Sequence, residues 1–420
     1  MKKFLLLAIP AILILSVLSI SIVAAQSADC GLWCKIVYLF TGKLPATGGA
    51  TAPMAGIQAV SCGDGIGPCA CGDIVISDYT MAGNLSCPGT GLIVGANNIV
   101  LDCQGHMISG AKIGNGIYAS GKSGVTIKNC QIKNFSRGIY IYSGSNNIIT
   151  NNTARSNSNS TSPYGSGIYL SYSSNNIITN NDFSLNTQDY ANGIYIYSGS
   201  NNTILNNTAN SNGNGIGIAI YSSSNNTIIN NIANSNSNGI YSSTGSNNNL
   251  IAYNTANSNG NGIYCTGSNN NIVINNIANS NGISGIYLYS GSNNNTIRNN
   301  IANSNTKYGI YLYYDSNNII ANNTANSNSN SGIFLVSSSN NILTNITANN
   351  NNIDGIYLLS SSNNQIINSI GGGYNYGIRL SSSSNNQIIN STASGAEIGI
   401  YLVTSAIYTP EEIRAAVNLD

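Results

Sequence analysis

Apolar side chains recur in this chain on two scales. The first is local. In Gly285-Ile286-Tyr287-Leu288-Tyr289 aliphatic residues alternate with tyrosines before Ser, Gly and Asn take over. A period of two sends neighbouring side chains to opposite faces of a strand. Runs this short, bounded by Gly, Asn and Ser that accept positive φ, do not make helices. The second scale is long. A Gly-Ile pair returns with its glycine at 116, 138, 167, 193, 215, 239, 262, 285, 309, 332, 355, 377 and 399. Inside the same unit Ser-Asn-Asn begins at 145, 174, 200, 224, 246, 268, 292, 316, 339, 362 and 384. Each unit reads as a strand after the glycine, a polar corner, a second short strand such as that carrying Ile297, and a third stretch such as 302–305. A repeat of this length predicts an all-β chain, a single-stranded right-handed parallel β-helix solenoid of about 13 or more coils of 22–24 residues. Coils stacked about 4.8 Å apart would build a rod of roughly 60 Å.

The flanks read differently. Lys2 and Lys3 precede the uncharged stretch 4–25, which ends Val23-Ala24-Ala25. This predicts a signal peptide over 1–25 with Gln26 as the new N-terminus, or an uncleaved anchor, since the stretch is long enough to cross a bilayer. Either way the rest is exported. Residues 26–61 form a short segment holding Cys30 and Cys34, followed by a Gly/Ala/Thr/Pro linker. Residues 62–115 are expected to be a disulfide-rich N-terminal cap with the first coils, and 116–405 the repeats. Over 406–420, Thr409-Pro410-Glu411-Glu412 predicts the start of a C-terminal capping helix spanning 410–418.

Composition narrows the chemistry. Only 6% of the 420 residues are charged, and the net charge of +1 is scattered, so no basic stripe exists to neutralise phosphates and nucleic-acid binding is disfavoured. The 75 asparagines fit a stack in which side-chain amides pass hydrogen bonds from coil to coil. The single His, His106, excludes a His-rich metal site and reads as a turn residue, and no cofactor or metal is expected. Eight of the nine Cys lie between 30 and 130 in an exported chain, which points to disulfides. Zinc is the weaker alternative, because Cys62, Cys69 and Cys71 lack paired CxxC spacing. Cys265 stands where other units have Leu288, Leu312, Leu335 and Ile218, and is expected to be a buried free thiol.

The segment from Ala96 to Gly110, reading ANNIVLDCQGHMISG, is followed by GVTIKNCQIKNF from Gly124 to Phe135. Together with the GIYL and SNN units they resemble NosD-type right-handed β-helix repeat proteins, relatives of the pectate-lyase-like folds, over residues 72–405. The resemblance implies an exported or surface protein within a set that includes carbohydrate-binding proteins and sugar hydrolases. The copper association of the family name is not carried over, since one His and few Met leave no soft-ligand cluster. Within these motifs Cys103 and Cys130 occupy equivalent places in successive coils, and the stacking distance suits a disulfide between them. Pairing among Cys62, Cys69, Cys71 and Cys87 stays open.

Three candidate sites follow. Glycoside hydrolysis needs two carboxyl groups about 5 to 9.5 Å apart, yet the repeats offer only Asp182, Asp189, Asp315, Asp354 and Glu397. Asp315 and Asp354 do not form such a pair, and Arg137, Arg298 and Arg379 stand alone. The two longest spacings place extra residues at 155–164 and 183–190, where Arg155, Tyr164, Asp182, Asp189 and Tyr190 would share a protruding patch. Tolerated loop variation is the simpler reading. The third candidate is the outward column two residues after each glycine. It reads Tyr118, Tyr140, Tyr169, Tyr195, Gly217, Tyr241, Tyr264, Tyr287, Tyr311, Phe334, Tyr357, Arg379 and Tyr401, with Tyr142, Tyr197, Tyr289 and Tyr313 alongside. An exposed aromatic ladder suits sugar faces and protein partners; the bland reading is that stacked tyrosines only stabilise neighbouring strands. Asn159 is the best of many N-glycosylation sequons.

The sequence therefore predicts an exported, non-catalytic β-helix protein that binds polysaccharide or a glycoprotein surface, as an adhesin or envelope component. Binding falls to Tyr195, Tyr241, Tyr264, Tyr287, Tyr311 and Tyr357, with Tyr164 and Tyr190. The alternatives are a polysaccharide hydrolase, lyase or epimerase using Asp182, Asp189 and Arg155, and a purely structural spacer. Membrane contact would run only through an uncleaved N-terminal segment. Oligomeric state is left open.

Overall fold

The computed structural model describes residues 61–63, 67–158, 165–187, 191–395, 397–403 and 413–414. The expected signal peptide, Cys30, Cys34 and the linker lie outside the described residues. No helix occurs among the described residues, which form short strands joined by turns, bends and irregular stretches. Each coil gives one strand to a first sheet of 16 strands, from Ser61–Cys62 to Ile398–Val403, and one to a second sheet of 15, from Tyr79–Thr80 to Ile413–Arg414. The third face is a true sheet only near its ends, with four strands between Leu85–Ser86 and Thr153–Arg155 and three between Thr347–Asn351 and Thr392–Gly395. Single bridges such as Thr208 with Ile232 and Ile277 with Ile301 connect these two parts. All pairing is parallel and sets like on like: Tyr287 lies between Tyr264 and Tyr311, and Ile286 between Ile263 and Ile310.

The core is a stack of aliphatic columns. The first sheet sends in residues such as Ile286 and Leu288, and the second sends in the middle residue of each strand, such as Ile297; all are fully buried. Each such side chain contributes about 2 kcal/mol of apolar burial. The third face contributes small residues, Ala209, Ala233, Ala256, Ala278 and Ala302. This explains the recurring glycine. A Cβ on Gly239 would meet the Gly262 carbonyl oxygen at 2.6 Å and Ala256 at 2.8 Å. The coil is too narrow there for any other residue to begin the strand.

The corners carry the asparagines. The side-chain oxygen of Asn231 accepts from the backbone N–H and the side-chain amide of Asn207 one coil earlier, at 2.9 and 3.1 Å. Its own amide donates to the Ile204 carbonyl at 2.9 Å and to Asn254 at 3.0 Å. The same relay runs from Asn147 through Asn176 to Asn202, and from Asn281 through Asn305 to Asn328. Neighbouring corner residues, among them Asn201, Asn225 and Ser222, take φ between 48° and 59°, which Asn tolerates because its short polar side chain bonds locally.

Four expectations change. The Gly-Ile pair at 215 is not the strand start: Ile194 pairs with Ile218 and Tyr195 with Ala219, so Gly217 takes the glycine position and Ala219 the aromatic one. Gly215-Ile216-Gly217-Ile218 satisfies a period of two in either register; packing of Gly217 against Ala233 and Asn236 decides it. Cys265 is accordingly flanked by Ser242 and Leu288, with Ile220, not Ile218, in its column. At the C-terminal end the helix over 410–418 is not supported, since Ile413–Arg414 extends the second sheet beside Ile388 and Ile389. At the other end no separate cap stands apart from the described coils; strand pairing begins at Ser61. Cys103 and Cys130 are bonded, with Cα atoms 4.7 Å apart, and the open pairings resolve as Cys62–Cys69 and Cys71–Cys87. Cys265 is a buried free thiol pushed up to about 12 by burial and by Asp315.

Candidate functional site

The aromatic column forms on the outer face of the first sheet. Ring centroids lie 5.0 Å apart for Tyr140 and Tyr169, 4.8 Å for Tyr264 and Tyr287, 4.7 Å for Tyr287 and Tyr311, and 4.8 Å for Phe334 and Tyr357. These pairs are stacked face to face with tilts of 7° to 19°. The column is less exposed than its sequence implies: Tyr195 is 6% exposed, Tyr169 and Phe334 8%, and the other rings are half-buried. Stacking occupies the ring faces, so most of the ladder turns only ring edges and phenol tips outward.

Two coils put no ring in the column, at Ala219 and at Arg379. Ala219 supplies no ring, and Tyr221, from the neighbouring column, leans into the gap with its centroid 5.1 Å from Tyr195 and 5.3 Å from Tyr241. Its tilts of 54° and 66° set it out of parallel with both neighbours. The result is a cleft of about 570 Å³ walled by Tyr195, Tyr197, Tyr221, Tyr241 and Tyr264. Asn192, Asn214, Ser237 and Asn238 line its polar side. The volume falls in the range of small-ligand sites, and an apolar wall with a few polar groups is their usual make-up. Burial, reinforced by Tyr241, pushes the Tyr264 phenol up to about 12, so it stays protonated and can donate. No described lining residue is charged.

Tyr287, Tyr311 and Tyr357, the other expected binders, lie in the stacked part of the ladder, away from the cleft. Tyr164, Asp189 and Tyr190 lie outside the described residues, as does Asn159. Of the loop patch, Arg155 and Asp182 are brought together as an ion pair. Burial disfavours the Asp182 carboxylate, but hydrogen bonds from Arg155 and Ser184 outweigh it and hold the group below the ordinary carboxylate range.

Of the remaining carboxyl groups, Asp315 and Asp354 serve separate structures. Asp315 replaces a serine in a corner ladder: it accepts from the Ser292 N–H at 2.6 Å, and its own N–H donates to Ser338 at 3.1 Å. Burial pushes it up to about 7. Asp354 begins a first-sheet strand, accepts from the Ser331 hydroxyl at 3.2 Å, and is pushed by burial up to about 6 against the pull of Arg379. Arg379 does not stand alone; its guanidinium lies 4.4 Å from the Tyr357 ring centroid and 5.1 Å from that of Tyr376. A larger hollow of about 650 Å³ opens beside Gly372 and Gly373, but Tyr374 is its only ring and asparagines form much of its wall.

Tyr172 and Tyr314 were missed from sequence. Both take positive φ, 50° and 59°, at corners where other units have Ser, and both are 55% exposed. Tyr172 packs edge-on to Tyr142 and Tyr197 at 5.9 and 5.6 Å. The signal was present: Ser-Tyr-Ser at 171–173 interrupts a corner elsewhere built from Ser and Gly.

Stacked coils, parallel like-on-like pairing and an aromatic outer column define a parallel β-helix protein. The family described as right handed beta helix region matches residues 90–256 and 191–325, together more than half of the chain, and the protein belongs to it. It is a β-helix of the NosD type: residues 299–409 match the periplasmic copper-binding protein (NosD) family. That stretch contains no Cys, His or Met, and no group of three His, Cys, Asp or Glu converges among the described residues. The soft ligands that hold copper are missing, and the residues do not fit the metal. No curated protein matches the chain. Among solved structures, a mutant of the periplasmic alginate epimerase AlgG is 17% identical, covering 71% of this chain and 77% of its own, with a TM-score of 0.47. The mannuronan C-5 epimerase AlgE4 A-module of Azotobacter vinelandii is 15% identical, covering 81% and 91%, with a TM-score of 0.46. DFA-IIIase from Arthrobacter chlorophenolicus A6 is 11% identical, covering 70% and 83%, with a TM-score of 0.40.

Proposed function

We propose that the protein is exported and binds polysaccharide without cleaving it, with the tyrosine-walled cleft at Ala219 as the seat of binding. The observation that carries this reading is the break in the ladder, where stacked rings give way to tilted ones that wall a cleft together with Asn192 and Asn238. A sugar ring presents an apolar C–H face and a rim of hydroxyls, which an aromatic wall with amide neighbours complements. Export is supported by Lys2-Lys3 with the apolar stretch behind them and by three disulfides among the described residues. A non-catalytic role is supported by the absence of any carboxylate among the described lining residues, since glycoside hydrolysis relies on a carboxylate pair.

The test is a glycan-array screen of the secreted protein, with reducing-end release assayed on every polysaccharide that binds. Ala219→Tyr, which completes the ladder and fills the cleft, is expected to lower affinity at least tenfold while leaving the circular dichroism spectrum unchanged. Full binding by this variant would remove the cleft from the account. Release of sugar ends by the wild type would make the protein an enzyme.

A further inference from the structure

The second sheet carries an exposed apolar strip that neither the cleft nor the ladder uses. Its strands send their first and third residues outward. In the first row Ile148, Ile177, Ile272, Ile319 and Ile342 are 37% to 45% exposed. Parallel pairing stacks these strands without interruption from Ile148–Thr150 to Ile342–Thr344. Lys128 bounds the strip at one end, and Gln365 and Gln387 at the other. Arg298 is the one charged residue inside it, and its long stem can lie along apolar neighbours while the guanidinium reaches the rim.

The row alternates aliphatic pairs with Thr203, Thr227 and Thr296, and the second row adds Leu205, Ile229 and Ile274; exposed apolar side chains held in register on a regular sheet mark an interaction surface. Nine strands at about 4.8 Å, bearing two rows about 7 Å apart plus side-chain width, make roughly 500 Å². Two such strips face to face bury about 1,000 Å², the threshold for a specific interface. The strip is corrugated at the coil spacing, and a second strip is corrugated identically, so ridges of one meet grooves of the other along the whole length. Near-neutral net charge (+1) leaves little repulsion between copies. We infer that the second-sheet strip is a self-association surface, joining two copies of this chain about a two-fold axis through the middle strand, Leu250–Ala252. The area lies at the lower end for a specific interface, which fits a concentration-dependent dimer.

The experiment uses the secreted chain across a concentration series in analytical ultracentrifugation. A monomer–dimer equilibrium is expected, and Ile272→Lys with Ile319→Lys is expected to shift it at least tenfold toward monomer. A second measurement avoids disrupting the strip. Leu250→Cys, on the axis, should form a disulfide-linked dimer under mild oxidation, whereas Ile148→Cys, at the far end, should not. A monomer at every concentration overturns the inference, as does a dimer indifferent to both lysines or cross-linked equally by both cysteines. None of these outcomes depends on sugar binding, which is read on the other sheet.

Discussion

The ring of Tyr221 lies 5.1 Å from that of Tyr195, tilted by 54°, although the two residues belong to different columns of the sheet. Tyr195 pairs with Ala219 in register, and Tyr221 crosses to fill the place where the next ladder ring would stand. The cleft exists because this substitute is imperfect. Tyr221→Ala should widen the cleft and remove one wall, weakening glycan binding about tenfold. Tyr311→Ala, far along the stacked ladder, should leave affinity nearly unchanged. Titration of both variants with the strongest array hit checks the contrast; equal losses would indicate binding along the entire ladder.

The asparagine relay makes a prediction about stability. Asn231 is almost fully buried and joins three coils through five hydrogen bonds. Asn231→Ala strands the buried Asn207 N–H, while the Ile204 carbonyl keeps its strand pairing. The expected cost is about 2–3 kcal/mol, measured by denaturant unfolding. A cost below about 1 kcal/mol would mean that water enters the corner and replaces the amide.

Asp315 should make stability depend on pH. Burial raises its carboxyl from the ordinary 3.8 to about 7 in the folded chain. Between those values the folded state keeps a proton that the unfolded state releases. Its contribution is therefore fully present below 3.8, falls as pH rises, and is lost above about 7. The slope is roughly 1.4 kcal/mol per pH unit at most. Asp315→Ser restores the serine found one coil on either side and should reduce this dependence, leaving the part due to Asp354, whose carboxyl burial also raises. Unfolding curves of both proteins at pH 4 through 8 decide the matter.

Tyr253 holds φ at 56° with its side chain 60% exposed, in a column where the neighbouring coils have Asn230 and Asn275. A bulky residue in the left-handed region costs about 1–2 kcal/mol. Tyr253→Asn should recover about 1 kcal/mol, read as a rise in melting temperature. A loss instead would show that the ring makes a contact worth more than the strain.

The Cys103–Cys130 bond spans 27 residues and staples two adjacent coils. Replacing both with serine should cost about 3.5 kcal/mol by the loop-entropy estimate. The change should appear as a lower denaturation midpoint, with the spectrum of the folded protein retained.

Much of this architecture is written in the sequence itself. Alternation of Ile and Tyr fixes strands, the return of Gly-Ile and Ser-Asn-Asn fixes the coil, and Asn at the corners follows from the need to satisfy backbone groups where each coil bends. Cys103 and Cys130 could be paired because equivalent places in adjacent coils lie one stacking distance apart. A repeat is legible because every unit obeys the same local rule. What the repeat cannot show is where it slips. Gly215-Ile216-Gly217-Ile218 satisfies the pattern in two registers, and only the packing of Gly217 against Ala233 and Asn236 chooses between them. That choice puts Ala219 rather than a glycine in the aromatic column, draws Tyr221 across, and opens the cleft. The strand at Ile413–Arg414 was likewise set by an open sheet edge rather than by its local helix-start signal. Periodicity, a property of the chain, determined the rod; close packing between coils, which depends on atoms far apart in sequence, determined the site.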